Sequence, residues 1–248
     1  MYYEIAGSPV RLLGSMHRWP TNVGPQDLPL WVWRAYQWSE RLYLETELTD
    51  SAQFVRLNEG DSLRRRLPPS IWDALQRVLP AETEVSLLQP WAALMALPFV
   101  GRAMVAGVET QLVARAHAQS KPIRHLETMS EFSTRLKCLS PEDYAELFTH
   151  AFQNFQDIRR VLSEMYGAWL SRYIENIEAL LPRTLLGFPR LARLILDERH
   201  LAWLPYIERA LNGSKRTLIV VDAAHLPRAQ GLLNLLHQAG HRVQLVPE

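Results

Sequence analysis

The sequence predicts an α/β fold in which a mixed sheet is built from N- and C-terminal segments, with a long α-helical middle region. Three observations carry this reading. Short apolar runs stand near the N-terminus, at Tyr2–Ile5 and Val10–Gly14. A strand–helix–strand pattern closes the chain, at 216–221, 229–239 and 241–246. Between them, over 140–211, helical periodicity is broken only around Pro182 and Pro189.

Taken in order, Gly7-Ser8-Pro9 makes the first two strands a hairpin. Asp27-Leu-Pro-Leu opens a helix reaching Trp38, with Pro29 in its first turn. Arg41-Leu-Tyr-Leu-Glu45 is a strand that ends in acid. Pro68-Pro69-Ser70 introduces an amphipathic helix over 71–79, and 80–84 is a turn. Pro90-Trp91 begins a short apolar helix that stops near Pro98. Gly107-Val-Glu109 opens a helix to Gln119 with Val108, Leu112, Val113 and Ala116 on its buried stripe. Lys121 to Leu126 is a strand, with Glu127 at its end. Ser140-Pro-Glu-Asp143 combines a serine cap, a proline and first-turn acids, which marks a helix start. Helix then runs toward Leu180 and again over 191–211, and 216–246 reads as a parallel βαβ unit. The 248 residues are read as a single domain, 1–248, carrying a helical insertion at 140–211.

Composition excludes several classes. Hydrophobic residues are 48% of the chain, enough for a packed core. A net charge of +1 gives no electrostatic footprint for nucleic acid or acidic membranes. Arg64-Arg65-Arg66 is too short for a binding arm and reads as solvated. The single Cys138 forms no internal disulfide and reads as a packed thiol. The N-terminus lacks a basic start followed by an apolar core, and no run of about 20 apolar residues occurs. The chain therefore reads as soluble and cytoplasmic. Most of the eight tryptophans are expected in the core, including those at Trp31, Trp33 and Trp38.

The chemistry-bearing residues lie at strand ends. His17 follows Val10-Arg-Leu-Leu-Gly14, and His225 follows Thr217-Leu-Ile-Val-Val-Asp222. A side chain just past a buried parallel strand faces the edge where ligands of α/β proteins bind. Glu45 occupies the same kind of position, where an unpaired carboxylate is costly to bury. Together they make a His/His/carboxylate set suited to a divalent transition metal. Glu109 sits in a first helical turn, where it is either an acid favoured by the helix dipole or a functional carboxylate. Glu127 ends a strand, to orient a ligand or to cap the next helix. Arg199 lies on an apolar helix, placed to steady a carboxylate or an oxyanion or to form a surface salt bridge.

Several segments, in order, resemble the TraB/GumN family, which is related to the Tiki metalloproteases. They are Leu12-Leu-Gly-Ser-Met-His17, Leu42-Tyr-Leu-Glu45, Gln89-Pro-Trp91, Gly107-Val-Glu-Thr-Gln-Leu112, Lys121 to Thr128, Asp197-Glu-Arg-His200, and Ala224-His-Leu226 with the glycines that follow. The resemblance implies two Gly-x-x-His motifs on a pseudo-symmetric α/β core. It implies metal-assisted hydrolysis, with Mn, Co or Zn held by His17 and His225 and with roles for Glu45 and Arg199; beside these, Asp222 is read as an added metal ligand and Glu127 as a further catalytic residue. The implied substrate is a peptide or a small amide or ester. The alternative is a non-catalytic family member that binds a small molecule or a protein partner. The chain departs from the family pattern at Asp222 and Arg228, where glycine is usual, and at His200, where asparagine is usual. Asp222 is then either an obstacle to close backbone approach or an added ligand, and Arg228 is a candidate to neutralise it.

Overall fold

The structure is a computed structural model, and it describes residues 1–47, 52–79 and 84–247. Tyr2–Ile5 (β1) and Val10–Ser15 (β2) form the expected antiparallel hairpin, turned at Gly7 with φ of 74°. Arg18–Pro20 (β3), Leu30–Trp38 (α1) and Arg41–Thr46 (β4) follow. Pro29 precedes the first helical residue as its cap. Ala52–Val55 (α2), Leu63–Arg66 (α3), Pro69–Val78 (α4) and Pro90–Ala96 (α5) begin a helical layer. Of the turn expected at 80–84, only residue 84 is among those described. Met104–Ala106 (β5), Val108–Ala118 (α6) and Ile123–Glu127 (β6) return the chain to the sheet.

The helical region then comprises Met129–Leu136 (α7), Pro141–Gln153 (α8), Phe155–Leu170 (α9) and Ile174–Leu180 (α10). Pro189–Ala192 (α11) leads through one π-helical turn, Arg193–Asp197, into Glu198–Leu211 (α12). Thr217–Asp222 (β7), Leu232–Gln238 (α13) and Val243–Leu245 (β8) complete the fold. Ser140 caps α8 reciprocally with Asp143, as its sequence requires.

The main sheet has the order β6-β4-β7-β2-β1-β8. Its four strands β6, β4, β7 and β2 are parallel, and β1 and β8 continue it antiparallel. The last strand–helix–strand unit therefore runs in one direction but does not pair: β2 and β1 lie between β7 and β8. The hairpin takes the place beside β7 that a tight βαβ crossover would have filled. A separate two-stranded sheet, β3 with β5, was not anticipated; its strands are three residues each, too short for a visible alternation.

Two hydrophobic clusters fill the molecule. One packs the sheet between α1, α6, α9, α12 and α13. The other lies wholly among helices and joins residues 57–97 to 136–158 and 185–194. Cys138 departs from expectation: it is exposed, because Leu136 and Leu139 take the inward positions on either side. Trp31 is buried against Trp169, whereas Trp33 and Trp38 are half-buried beneath Arg115 and Arg11. Arg64, Arg65 and Arg66 are exposed. Among the described residues, no helix is long and apolar enough to cross a membrane.

Candidate functional site

Because β2, β4, β6 and β7 run parallel, their carboxyl ends share one edge. Ser15, Glu45, Glu127 and Asp222 stand at those ends, and His17 and His225 follow two of them. The sheet thus gathers residues far apart in sequence without any long loop.

His17 is held from below by α6. The Gly107 and Val108 N–H groups donate to the carbonyls of His17 and Met16, each at 3.0 Å. A Cβ on Gly107 would lie 2.1 Å from both carbonyl oxygens, so only glycine permits this docking. The docking carries Glu109 under the imidazole, with its Oε1 3.0 Å from His17 Nδ1. Ser15 Oγ donates to the same oxygen. Glu109 Oε2 is buried and has no hydrogen-bond partner. On the other side of the ring, His17 Nε2 faces Glu45 Oε1 at 3.8 Å and Asp222 Oδ2 at 3.9 Å. The recess opens to solvent through His17, whose side chain is 53% exposed. Burial works against the imidazolium, but the charge and hydrogen bond of Glu109, with Glu45 and Asp222 behind it, raise His17 to about 10. Water at the open face of the ring screens part of that attraction.

His225 occupies a different environment. A short 3₁₀ turn, Ala223–His225, follows β7, and the Asp222 carboxylate caps it through the Ala224 N–H at 2.9 Å. This places His225 inside, 3% exposed, with Nε2 3.4 Å from Glu45 Oε2 and 3.1 Å from Arg199 Nη1. Its Nδ1 meets His200 Nε2 at 2.9 Å, and His200 Nδ1 meets the Gln230 carbonyl at 2.5 Å. Burial pushes His200 down to about 3, so it stays neutral.

Arg199 joins the two acids at the sheet edge. It donates to Glu45 Oε2 and to Glu127 Oε1, each at 2.6 Å, and to the Ile195 carbonyl at 3.1 Å. Arg135 and Thr46 also bind Glu127, at 2.5 and 3.1 Å. Each nitrogen of Arg199 is engaged, and its side chain is 6% exposed between Phe132 and Trp203. Glu45 is the hinge of the whole cluster. Its Oε1 accepts the Asp222 N–H at 2.5 Å and faces His17, while Oε2 accepts from Arg199. Burial would raise Glu45, yet the charges of Arg199 and His17 hold it well below the usual carboxylate range. Asp222 moves the other way: burial raises it, helped by the like charge of Glu45.

The structure therefore brings His17, Glu45, Asp222 and Glu109 around one recess. It places His225, Arg199 and Glu127 behind Glu45, in a buried hydrogen-bonded layer. One oxygen or nitrogen each from His17, Glu45 and Glu109 lie within 4.8 Å of one another, a set able to hold a metal ion. The fit is supported by the unpartnered Glu109 Oε2, a buried acceptor that needs a cation or a donor.

Comparison with known proteins agrees with this architecture. The family model described as the TraB/PrgY/gumN family matches residues 3–245. The chain belongs to that family. No curated protein and no solved structure matches it. Within the family pattern, Gly14 has a clear reason: a Cβ there would lie 2.6 Å from Leu226 Cδ1, on the strand's β7 side. Asp222, at the corresponding place in the second motif, carries its side chain partly exposed, with the carboxylate accepting the Ala224 N–H. Arg228 does not neutralise it. Its guanidinium lies 3.5 Å from Asp197, at the start of α12, whereas Asp222 Oδ1 accepts the Ala224 N–H and Oδ2 faces His17.

Glu109 and His200, like Ser15, Thr46 and Arg135, are not among the site residues the sequence selects. For Glu109 the sequence leaves the helix dipole and a functional role both open; its place two residues after Gly107 is the usable signal. His200 was visible only as a departure from the family pattern; nothing in its neighbours points to a histidine pair.

Proposed function

We propose that the protein is a divalent-metal-dependent hydrolase acting on a peptide or a small amide or ester. The observation that carries this reading is the donor set His17, Glu45 and Glu109 beside a buried, unpartnered Glu109 Oε2. Asp222 Oδ2 faces the same side of His17 without belonging to that donor set. A bound Mn²⁺, Co²⁺ or Zn²⁺ would supply Lewis acidity, polarising the scissile carbonyl and making water more acidic.

The chain's own residues then divide the remaining work. Glu109 fixes the Nδ1 side of His17 and leaves Nε2 facing the recess. Arg199 and Glu127 keep Glu45 ionised and aimed, a positioning role, since Arg199 has no nitrogen left for substrate. Asp222, raised and 20% exposed beside His17, is the group suited to accept a proton from the attacking water. As the C–O bond forms and the C–N or C–O bond to the leaving group breaks, the same carboxyl returns that proton to the departing amine or alcohol. A non-catalytic relative would keep the buried layer and dispense with the recess.

The test is calorimetric titration of Mn²⁺, Co²⁺ and Zn²⁺ into wild type, His17→Ala and Glu109→Gln, followed by a metal-dependent peptide and ester screen. Stoichiometric binding lost in His17→Ala supports the reading. A wild-type protein that binds none of the three ions overturns it.

A further inference from the structure

The hydrogen-bonded chain behind Glu45 has an unusual property: both of its ends can act in only one sense. At one end stands Arg199 Nη1, 3.1 Å from His225 Nε2. A guanidinium donates and cannot accept. His225 Nε2 therefore offers its lone pair, and the ring hydrogen sits on Nδ1. That nitrogen lies 2.9 Å from His200 Nε2, which must then accept, so the hydrogen of His200 is on Nδ1. At the other end, 2.5 Å from His200 Nδ1, stands the Gln230 carbonyl, which accepts and cannot donate. Each bond has one donor and one acceptor, and no alternative assignment of two neutral rings satisfies all three; Glu45 Oε2 also stands near His225 Nε2, but at 3.4 Å it lies farther off than the guanidinium, which takes the lone pair.

Arg199 and His200 are consecutive residues at the start of α12, and each reaches a different ring nitrogen of His225. Both are buried, at 5% and 1% exposure. A π-helical turn, Arg193–Asp197, leads into α12 just before them.

We infer that His200 is a positioning residue that fixes the ring tautomer of His225, and through it the aim of Arg199 at Glu45. His225 holds Arg199 Nη1, while Nη2 of the same guanidinium holds Glu45 Oε2, the back side of the carboxylate whose Oε1 faces the recess. His200 thus touches neither the recess nor His17, and acts on them through two intermediates. His225 in this state has no free lone pair, which separates it in role from His17. The effect on metal binding rests on the hydrolase reading; the tautomer itself does not.

The experiment is long-range ¹H–¹⁵N correlation spectroscopy of the full-length, metal-free protein labelled at its 8 histidines. His200→Gln and His225→Gln variants assign the two rings. Both rings are expected as single Nδ1–H tautomers, with pyridine-like Nε2. His200→Phe, which fills the space without an acceptor, is expected to lose the single Nδ1–H tautomer of His225 and to lower Mn²⁺ affinity by about tenfold. His200→Gln, which has both an acceptor and a donor, is expected to retain both properties. An Nε2–H or doubly protonated His225 in wild type overturns the inference, and so does an unchanged His225 tautomer in folded His200→Phe. If His200→Phe does not fold, the wild-type spectrum still decides. Wild type that shows the expected tautomers but binds no Mn²⁺ removes the hydrolase reading and leaves the inference standing.

Discussion

Glu45 divides the cluster into two unlike halves. Behind it, His225, His200, Arg199, Glu127 and Arg135 form a buried layer in which cations face carboxylates and donors face acceptors. In front of it, three carboxylates surround one half-exposed imidazole, and one carboxylate oxygen has no partner at all. The two histidines occupy equivalent strand ends, yet one is tied on both nitrogens and the other keeps Nε2 toward an acid-rich recess. A saturated buried network holds a shape. An unsatisfied one, open to solvent and short of positive charge, is where a cation gains most.

The contrast is broken most severely by removing the guanidinium. Arg199→Met leaves Glu45 and Glu127 buried with their main counter-charge gone. It is expected to cost about 3–5 kcal/mol of stability, read by chemical denaturation. A loss below about 1 kcal/mol would mean the buried layer is not held by its charges.

Removing His17 attacks the other half and should give the opposite signature. His17→Ala is expected to lower Mn²⁺ affinity by about 100-fold or more while stability changes by about 1 kcal/mol or less, because half of that ring is already in water. Calorimetry and denaturation on one sample decide it. If stability falls as far as in the Arg199 variant, the two halves are not distinct in kind.

A third substitution tests how the recess is built. Gly107→Ala forces a Cβ against the carbonyl oxygens of Met16 and His17, both backbone atoms that cannot swing aside. The N-terminus of α6 must shift, at an expected cost of about 1–3 kcal/mol, and Glu109 shifts with it. The thermal midpoint and the Mn²⁺ affinity should drop together. A drop in the midpoint alone would remove Glu109 from the metal set.

Much of the frame was legible because it rests on local chemistry. Gly7-Ser8-Pro9 specified the hairpin, Ser140-Pro-Glu-Asp143 specified a capped helix, and apolar runs ending in His17, Glu45 and Asp222 marked strand ends at a sheet edge. What was hidden depends on neighbours remote in sequence. The hairpin's insertion between β7 and β8 is a matter of topology, which a βαβ pattern does not encode. Strands of three residues leave no period to read. The partner of Arg228 is Asp197, set by how α12 lies on the sheet, and no local rule chooses it over Asp222. At the site, position was readable but role was not: a strand-end histidine looks the same whether an open recess lined by carboxylates or a buried arginine awaits it.

The pH dependence of stability should show the two halves in a single curve. His200, depressed to about 3, contributes stability that is present above its unfolded value of 6.5 and is lost as pH falls toward 3, because the unfolded chain takes up a proton the folded one refuses. His17, raised to about 10, does the reverse: its contribution is present below 6.5 and is lost as pH rises through 10, because the folded state keeps a proton the unfolded chain releases. Glu45 adds to the acid loss only below its ordinary value of 4.5, so the window between 4.5 and 6.5 belongs to His200 among these three groups. There the slope approaches, at most, about 1.4 kcal/mol per pH unit for one proton. The alkaline slope is expected to be shallower, since water screens the open face of His17. Denaturation midpoints of metal-free protein across this range should therefore peak near 6.5, with His200→Gln flattening only the acid arm and His17→Ala only the alkaline one. A wild-type curve that stays flat between 4.5 and 6.5 would mean that folded His200 takes up the proton as the unfolded chain does, and that the back of the cluster is charged rather than neutral.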